Sequence, residues 1–206
     1  RLSSTEVLIF GIAISLTGIT VLFIFVNSIT AILGLISWIS YVLIYTPMKR
    51  FTPFATLVGA IPGALPPMGG WTAAHGAITF EAFILFTILF MWQLPHFLAI
   101  AWICRDDYER GGFPMLTVLK NSRRLTGRQM IVYSAALLVV SLLPALIGLA
   151  GSVYFLGALL SGIAFFVINM LVAIDTNTLN ARRVLWASII HLPILLVLMM
   201  VDKIVL

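Results

Sequence analysis

The sequence predicts an all-α, polytopic membrane helix bundle, and three observations carry that prediction. Apolar residues make up 62% of the 206 positions, charged residues only 9%, and the mean hydropathy is +1.15. A water-soluble domain carries roughly a quarter charged residues, so that class is excluded. The apolar residues fall in runs of about twenty, the length a helix needs to cross ~30 Å of hydrocarbon. The few charges gather at the ends of alternate runs. Disorder and a secreted disulfide scaffold fall with the same numbers. Cys104 is the only cysteine, so the chain can form no internal disulfide and no cysteine-rich metal site.

Seven spans follow, at residues 6–26, 29–45, 54–71, 78–104, 129–150, 153–174 and 184–201. The connections at 27–28, 72–77 and 151–152 carry no Lys or Arg, whereas Lys49-Arg50, the stretch 105–128 and Arg182-Arg183 carry ten. Arg1 joins that side, and only Lys203 lies on the other. By the positive-inside rule the three charged loops face the cytoplasm of a bacterial plasma membrane or the matrix side of a mitochondrial inner membrane. The net charge of +5 therefore reports orientation, and no nucleic-acid partner is expected. Loops that only obey topology are the plain alternative to loops that do chemistry. The chain begins with Arg and shows no signal peptide, so residues 1–206 read as one membrane domain cut from something longer. There is no soluble module, internal repeat or low-complexity segment.

The third span holds Pro62, Pro66 and Pro67 among Gly59, Gly63, Gly69 and Gly70. Each interior proline removes an amide donor and pushes on the carbonyl four residues back, which predicts a broken helix. Freed backbone at membrane depth survives only against protein or a water-filled cavity. The span therefore lines an interior cavity, or else it is a kinked helix whose Ala55, Gly59 and Gly63 allow close packing. Buried charge is scarce: Glu81 lies near an outer end, Asp175 near an inner end, and only His96 and His191 sit deep. Transport pathways need carboxylates in mid-membrane, so their absence weakens a transporter reading. His96, in Trp92-Gln-Leu-Pro-His-Phe97, is either a hydrogen-bonded packing residue or a ligand for a metal or haem iron. His191, beside Pro193, has a weaker case.

Two charged loops make a chemical constellation on one membrane face. Arg105-Asp-Asp-Tyr-Glu-Arg-Gly-Gly-Phe-Pro-Met115 offers adjacent carboxylates at Asp106 and Asp107. Such a pair suits a hard cation such as Mg²⁺, which takes its remaining ligands from water and phosphate oxygens. Tyr45-Thr-Pro-Met-Lys-Arg50 sets Lys49 and Arg50 directly after a span, with Tyr45 a turn earlier. Their cationic groups can neutralise phosphate oxygens as charge leaves carbon. Together these are a diphosphate site in outline.

These two loops, with Gly59 through Ala74 and Trp92 to Phe97, strongly resemble protohaem IX farnesyltransferases (haem O synthases), a branch of the UbiA-type intramembrane prenyltransferases. The segment Ala181 to Pro193 looks like that family's last helix. The resemblance covers essentially the whole chain. It implies a nine-helix bundle around a central cavity, of which this chain supplies the last seven helices, without the first Asp-rich loop that would precede Arg1. It also implies transfer of the farnesyl group of farnesyl diphosphate to a vinyl group of haem B, giving haem O for haem-copper oxidases. Mg²⁺ would rest on Asp106, Asp107 and that first loop. Tyr45, Lys49, Arg50, Tyr108 and Arg110 would bind the diphosphate, with Asp106, Asp107, Lys49 and Arg50 as the catalytic set. His96 and Trp92 would contact haem. The lipid bilayer and a haem A synthase or oxidase assembly are the implied partners. Since position 110 is Arg and 111 is Gly, the second loop departs from the superfamily's Asp-x-x-x-Asp. Three other readings stay open at this point: a prenyltransferase acting on a quinone or chlorophyll-type acceptor, a small-molecule transporter, and a non-catalytic assembly subunit.

Overall fold

The computed structural model describes residues 3–203. Arg1 and Leu2, expected to follow an Asp-rich loop, lie outside the described residues. Helix α1 (Ser4–Phe25) starts at a capping box, in which the Ser3 hydroxyl accepts from the Glu6 amide and the Glu6 carboxylate accepts from the Ser3 amide. Helix α2 (Ser28–Ile39) is capped by Asn27, whose side chain accepts from the Thr30 amide at 2.8 Å. It runs on as a π-helical turn over Ser40–Tyr45 and a short α3 (Thr46–Met48). Then follow α4 (Ala55–His75), α5 (Phe80–Ile103), the short α6 (Arg105–Arg110), α7 (Ser122–Leu146), α8 (Ser152–Ile174) and α9 (Thr178–Val201). Among the described residues there is no strand. By length and composition α1, the α2–α3 unit, α5, α7, α8 and α9 can each cross a membrane. Glycine and proline dilute α4 below that apolar level, although it is 21 residues long.

Helix α5 is the hub and packs on α4, α7 and α9, while α8 closes the far side against α7 and α9. On the near side α2 lies between α1 and α4. The main core joins Ile84, Ile88 and Leu98 of α5 to Met130 and Leu137 of α7, Phe165 of α8 and Leu195 of α9. Lipid is as apolar as this core, so the helices are held by close packing and interhelical hydrogen bonds rather than by exclusion from water. The buried Tyr154 phenol of α8 accordingly donates to the Ser141 carbonyl of α7 at 2.8 Å. Gly127 lets α7 lie directly on α8: a Cβ there would stand 2.7 Å from the Ala173 Cα. Backbone cannot swing aside as a side-chain tip can. Gly127→Ala should therefore lower the unfolding free energy by about 1–3 kcal/mol, read as a lower thermal midpoint in detergent. Gly11→Ala, with nothing within 4 Å, should lower nothing; equal midpoints for the two variants would refute the close contact.

Three sequence expectations change here. The third span is not broken: α4 is one continuous helix from Ala55 to His75 with Pro62, Pro66 and Pro67 inside it. At one of the freed carbonyls a neighbouring helix supplies the donor that the backbone lost. Pro66 has no amide for the Pro62 carbonyl, and the Ser37 hydroxyl of α2 donates to it instead at 3.3 Å. The buried Gln93 side chain of α5 also donates across to α4, to the Ala60 carbonyl at 2.6 Å, and Gly63 leaves the room Gln93 needs, since a Cβ there would lie 2.3 Å from its Oε1. The second span is not a plain α-helix either. Pro47 has no amide for the Leu43 carbonyl, and the turn widens so that the amide of Thr46 donates to the Tyr41 carbonyl. The Thr46 hydroxyl donates to the same carbonyl at 2.9 Å. Helices α7 and α9 begin about two turns before the spans at 129 and 184, because backbone hydrogen bonding continues past the point where arginines leave the hydrocarbon.

Candidate active site

The π-helical turn and the start of α4 set the first wall of a cavity at the charged end of the bundle. Widening by one residue turns Tyr45 toward α4, and Gly59 is what admits it: a Cβ at position 59 would stand 2.7 Å from Cδ2 of the Tyr45 ring. Tyr41 lies beside Tyr45 with ring centroids 5.2 Å apart, and the Lys49 ammonium stands 5.8 Å from the Tyr45 ring centre. The second wall is the end of α5 with α6. Tyr108 of α6 meets Phe113 edge to face at 6.3 Å, and the Phe113 amide donates to the Tyr108 carbonyl at 3.0 Å. Between the walls is a cavity of about 280 Å³ lined by Tyr41, Tyr45, Thr56, Gly59, Tyr108 and Met115, with Phe97, Ile100 and Ala101 of α5 behind. Burial pushes the Tyr108 phenol above its ordinary range, so at neutral pH it keeps its proton and can donate to an anion.

Around this mouth the expected charged residues separate. Asp106 and Asp107 lie on the same helix as Tyr108 and are exposed. Arg110, expected to bind diphosphate, forms an ion pair with Asp107, their side chains 76% and 70% exposed. Arg50 is exposed and Lys49 half-buried. Lys49 and Asp107 are not bridged to each other; what lies between their elements is the tyrosine-lined cavity. Among the described residues no three His, Cys, Asp or Glu side chains converge on one point. A cation here would rest on one or two carboxylates and complete its shell with water and phosphate oxygens, which is how Mg²⁺ binds. Asp106 and Asp107 are open to solvent on α6 and are carboxylates of the kind such a cation takes.

Trp92 and His96 face α9. The Trp92 indole donates to the Ser188 carbonyl at 2.8 Å, and the two rings stack with centroids 4.9 Å apart. His96 Nδ1 lies 2.8 Å from the Ser188 hydroxyl oxygen, while that hydroxyl donates its own proton to the Leu185 carbonyl at 2.6 Å. Ser188 has one proton to give, so in this bond it accepts. Nδ1 of a neutral His96 thus carries the hydrogen, and Nε2 keeps its lone pair. A metal-ligating histidine is held in the same way, with its second nitrogen committed to an orienting partner. Neither Trp92 nor His96 lines the tyrosine cavity. His191 is buried against Phe165 with ring centroids 5.1 Å apart, and both its nitrogens lack a hydrogen-bond partner.

The structure adds residues that sequence reasoning did not select. Thr56 is shared between the cavity and a neighbouring apolar hollow of about 170 Å³ lined by Leu57, Leu94, Leu98, Gln129 and Tyr133. Tyr41 had a visible signal, one helical turn before Tyr45. Ser188 had none, since its role exists only once α5 and α9 are packed together.

Known proteins resemble this chain in sequence or in architecture. The chain is 45% identical over 203 residues to the protohaem IX farnesyltransferase of Solibacter usitatus, covering 98% of this chain and 70% of that one. It is 43% identical to the protein of the same name from Sorangium cellulosum, covering 98% and 72%. A solved structure of digeranylgeranylglyceryl phosphate synthase superposes with a TM-score of 0.79 at 18% identity, over 98% of this chain and 70% of that chain, and so shares the fold. The profile of the UbiA prenyltransferase family matches residues 1–192, and with the helix order and the paired polar loops already described, this chain belongs to that family.

Proposed function

We propose that the protein transfers the farnesyl group of farnesyl diphosphate to a vinyl group of haem B, producing haem O. The observation that carries this reading is the cavity that seats Tyr45 and Tyr108 opposite each other, between a basic turn and an acidic helix. Relatives over 40% identical along nearly the whole chain bear the corresponding name.

The diphosphate sits at the mouth. Lys49 and Arg50 approach its oxygens from the α3 end, and Asp106 and Asp107 of α6 would hold Mg²⁺. The metal, when bound, supplies positive charge on the diphosphate oxygens. The neutral phenols of Tyr45 and Tyr108 donate to the same oxygens. As the allylic carbon–oxygen bond breaks, its electron pair leaves with the diphosphate, and Lys49 and Arg50 neutralise the charge that develops there. The apolar wall of Phe97, Ile100 and Met115 keeps water from the allylic cation. The vinyl carbon attacks that cation, and the resulting cation beside the porphyrin takes up water and loses a proton, leaving a hydroxyethylfarnesyl side chain. Arg110 holds Asp107 in the resting geometry and exchanges it for diphosphate oxygens on binding. His96, with Nε2 free, and Trp92 contact haem from the α5–α9 side. The mouth faces the cytoplasm or the mitochondrial matrix.

Membranes containing the full-length protein, supplied with radiolabelled farnesyl diphosphate, haem B and Mg²⁺, should place label on haem. His96→Ala should raise the KM for haem about tenfold or more, the scale of losing one oriented ligand contact, with the KM for farnesyl diphosphate unchanged. Label on a quinone acceptor instead would assign the acceptor wrongly, and label on nothing would remove the activity.

A further inference from the structure

A second cluster of basic side chains lies on the same membrane face, outside the tyrosine-lined cavity. Arg105, Lys120, Arg123 and Arg124, with Asn121 and Ser122, line a shallow hollow of about 520 Å³ at the start of α7, and Val118 and Leu119 form its apolar edge. Arg105 is fixed from behind, its guanidinium 5.5 Å over the Trp102 ring, and its Nε is buried with no hydrogen-bond partner. Among the described residues none of these four cations forms an ion pair; the ion pair found is Arg110 with Asp107. Asp175, at the nearby end of α8, is engaged by the Asn177 side chain. Asn121 adopts left-handed backbone at φ 61°, and no side chain caps the first turn of α7. Four cations, one of them Arg105 with its orphaned buried Nε, therefore line the hollow beside the uncapped start of a 25-residue helix, with no acid in the lining. The Thr176 hydroxyl donates to the Arg123 carbonyl at 3.2 Å, which ties the wall of the hollow to α8.

We propose that this hollow binds a phosphate-type anion, and specifically the phosphodiester headgroup of an acidic lipid in the inner leaflet. Guanidinium forks match phosphate oxygens in pairs, and a helix N-terminus adds favourable dipole and free amides. The site opens where α5 and α7 leave the hydrocarbon, with an apolar rim placed for the start of an acyl chain, as juxtamembrane basic clusters that bind acidic lipids do. Arg105 begins the helix that carries Asp106, Asp107 and Tyr108, so an occupied site would steady that helix against the bundle. The inference is independent of the transfer reaction, because its experiment reads binding with no prenyl donor or haem present.

The chain is reconstituted in phosphatidylcholine nanodiscs with stepped phosphatidylglycerol, and retained lipid is counted by native mass spectrometry. A parallel arm titrates inorganic phosphate onto the detergent-solubilised chain. Saturable retention of phosphatidylglycerol is expected, weakened about tenfold or more by Arg123→Gln with Arg124→Gln. Arg182→Gln with Arg183→Gln removes the same charge from the same membrane face and should change it less than twofold. Arg123 and Arg124 are exposed, and circular dichroism of each variant verifies that it is folded. Saturation by inorganic phosphate alone would keep the phosphate site and overturn the lipid source. Equal weakening by the two pairs, or no saturation by either anion, would overturn the site and leave only general attraction of a basic face.

Discussion

Asp107→Asn should reduce farnesyl transfer on the order of 10²–10³-fold while the protein stays folded in the membrane. The size is that of removing one preorganised group that stabilises charge developing in a transition state. Stability should hold because the ion pair of Asp107 with Arg110 lies on exposed side chains of a six-residue helix, and exposed pairs contribute at most about 1 kcal/mol. Lost activity therefore reports chemistry rather than folding. Lys49→Ala should have a loss of similar size, since the Lys49 ammonium stands beside Tyr45 at the opposite side of the mouth. Initial rates with saturating haem B, alongside the thermal midpoint of each variant, separate the two effects. Wild-type rates in either variant would reduce these loops to signals of orientation.

Gly59→Ala should lower the rate by about 10²-fold through a contact, without touching any charged group. The added methyl would lie 2.7 Å from Cδ2 and 2.8 Å from Cε2 of Tyr45. Ordinary carbon contacts are about 3.5–4.0 Å, so the ring must retreat by roughly 1 Å. Displacement of a positioning group by ~1 Å is worth about that factor in rate. Gly70→Ala, in the same helix with nothing within 4 Å of the added carbon, should retain full activity. Comparable rates in the two variants would place Tyr45 outside the chemistry.

Much of this architecture is legible in the sequence. Six of the seven long helical units follow from runs of apolar residues, because hydrocarbon leaves the backbone no partner but itself. The loops proposed to do chemistry stand out in the sequence by pairs of residue types: adjacent carboxylates in one, Lys beside Arg in the other. The break expected in the third span is absent for a physical reason, while the close packing at Gly59 and Gly63 is present. Proline is penalised for its lost amide within its own helix, yet the sequence does not reveal that Ser37, from a different helix, stands ready to donate to the freed Pro62 carbonyl. The π-helical turn escaped for a related reason, since Pro47 signals a disturbance without saying whether the helix will kink, stop or widen.

Composition and charge placement by themselves determined that this is a membrane bundle with its polar chemistry on one face. Those properties are sums over local preference: each run of side chains meets lipid or water on its own account. Packing alone decided that Tyr45 and Tyr108 share a cavity and that Ser188 fixes the tautomer of His96. Each of these is a meeting of residues far apart in sequence or a choice between competing partners. Such contacts are set by the angles and distances at which whole helices settle against one another, which no local pattern records.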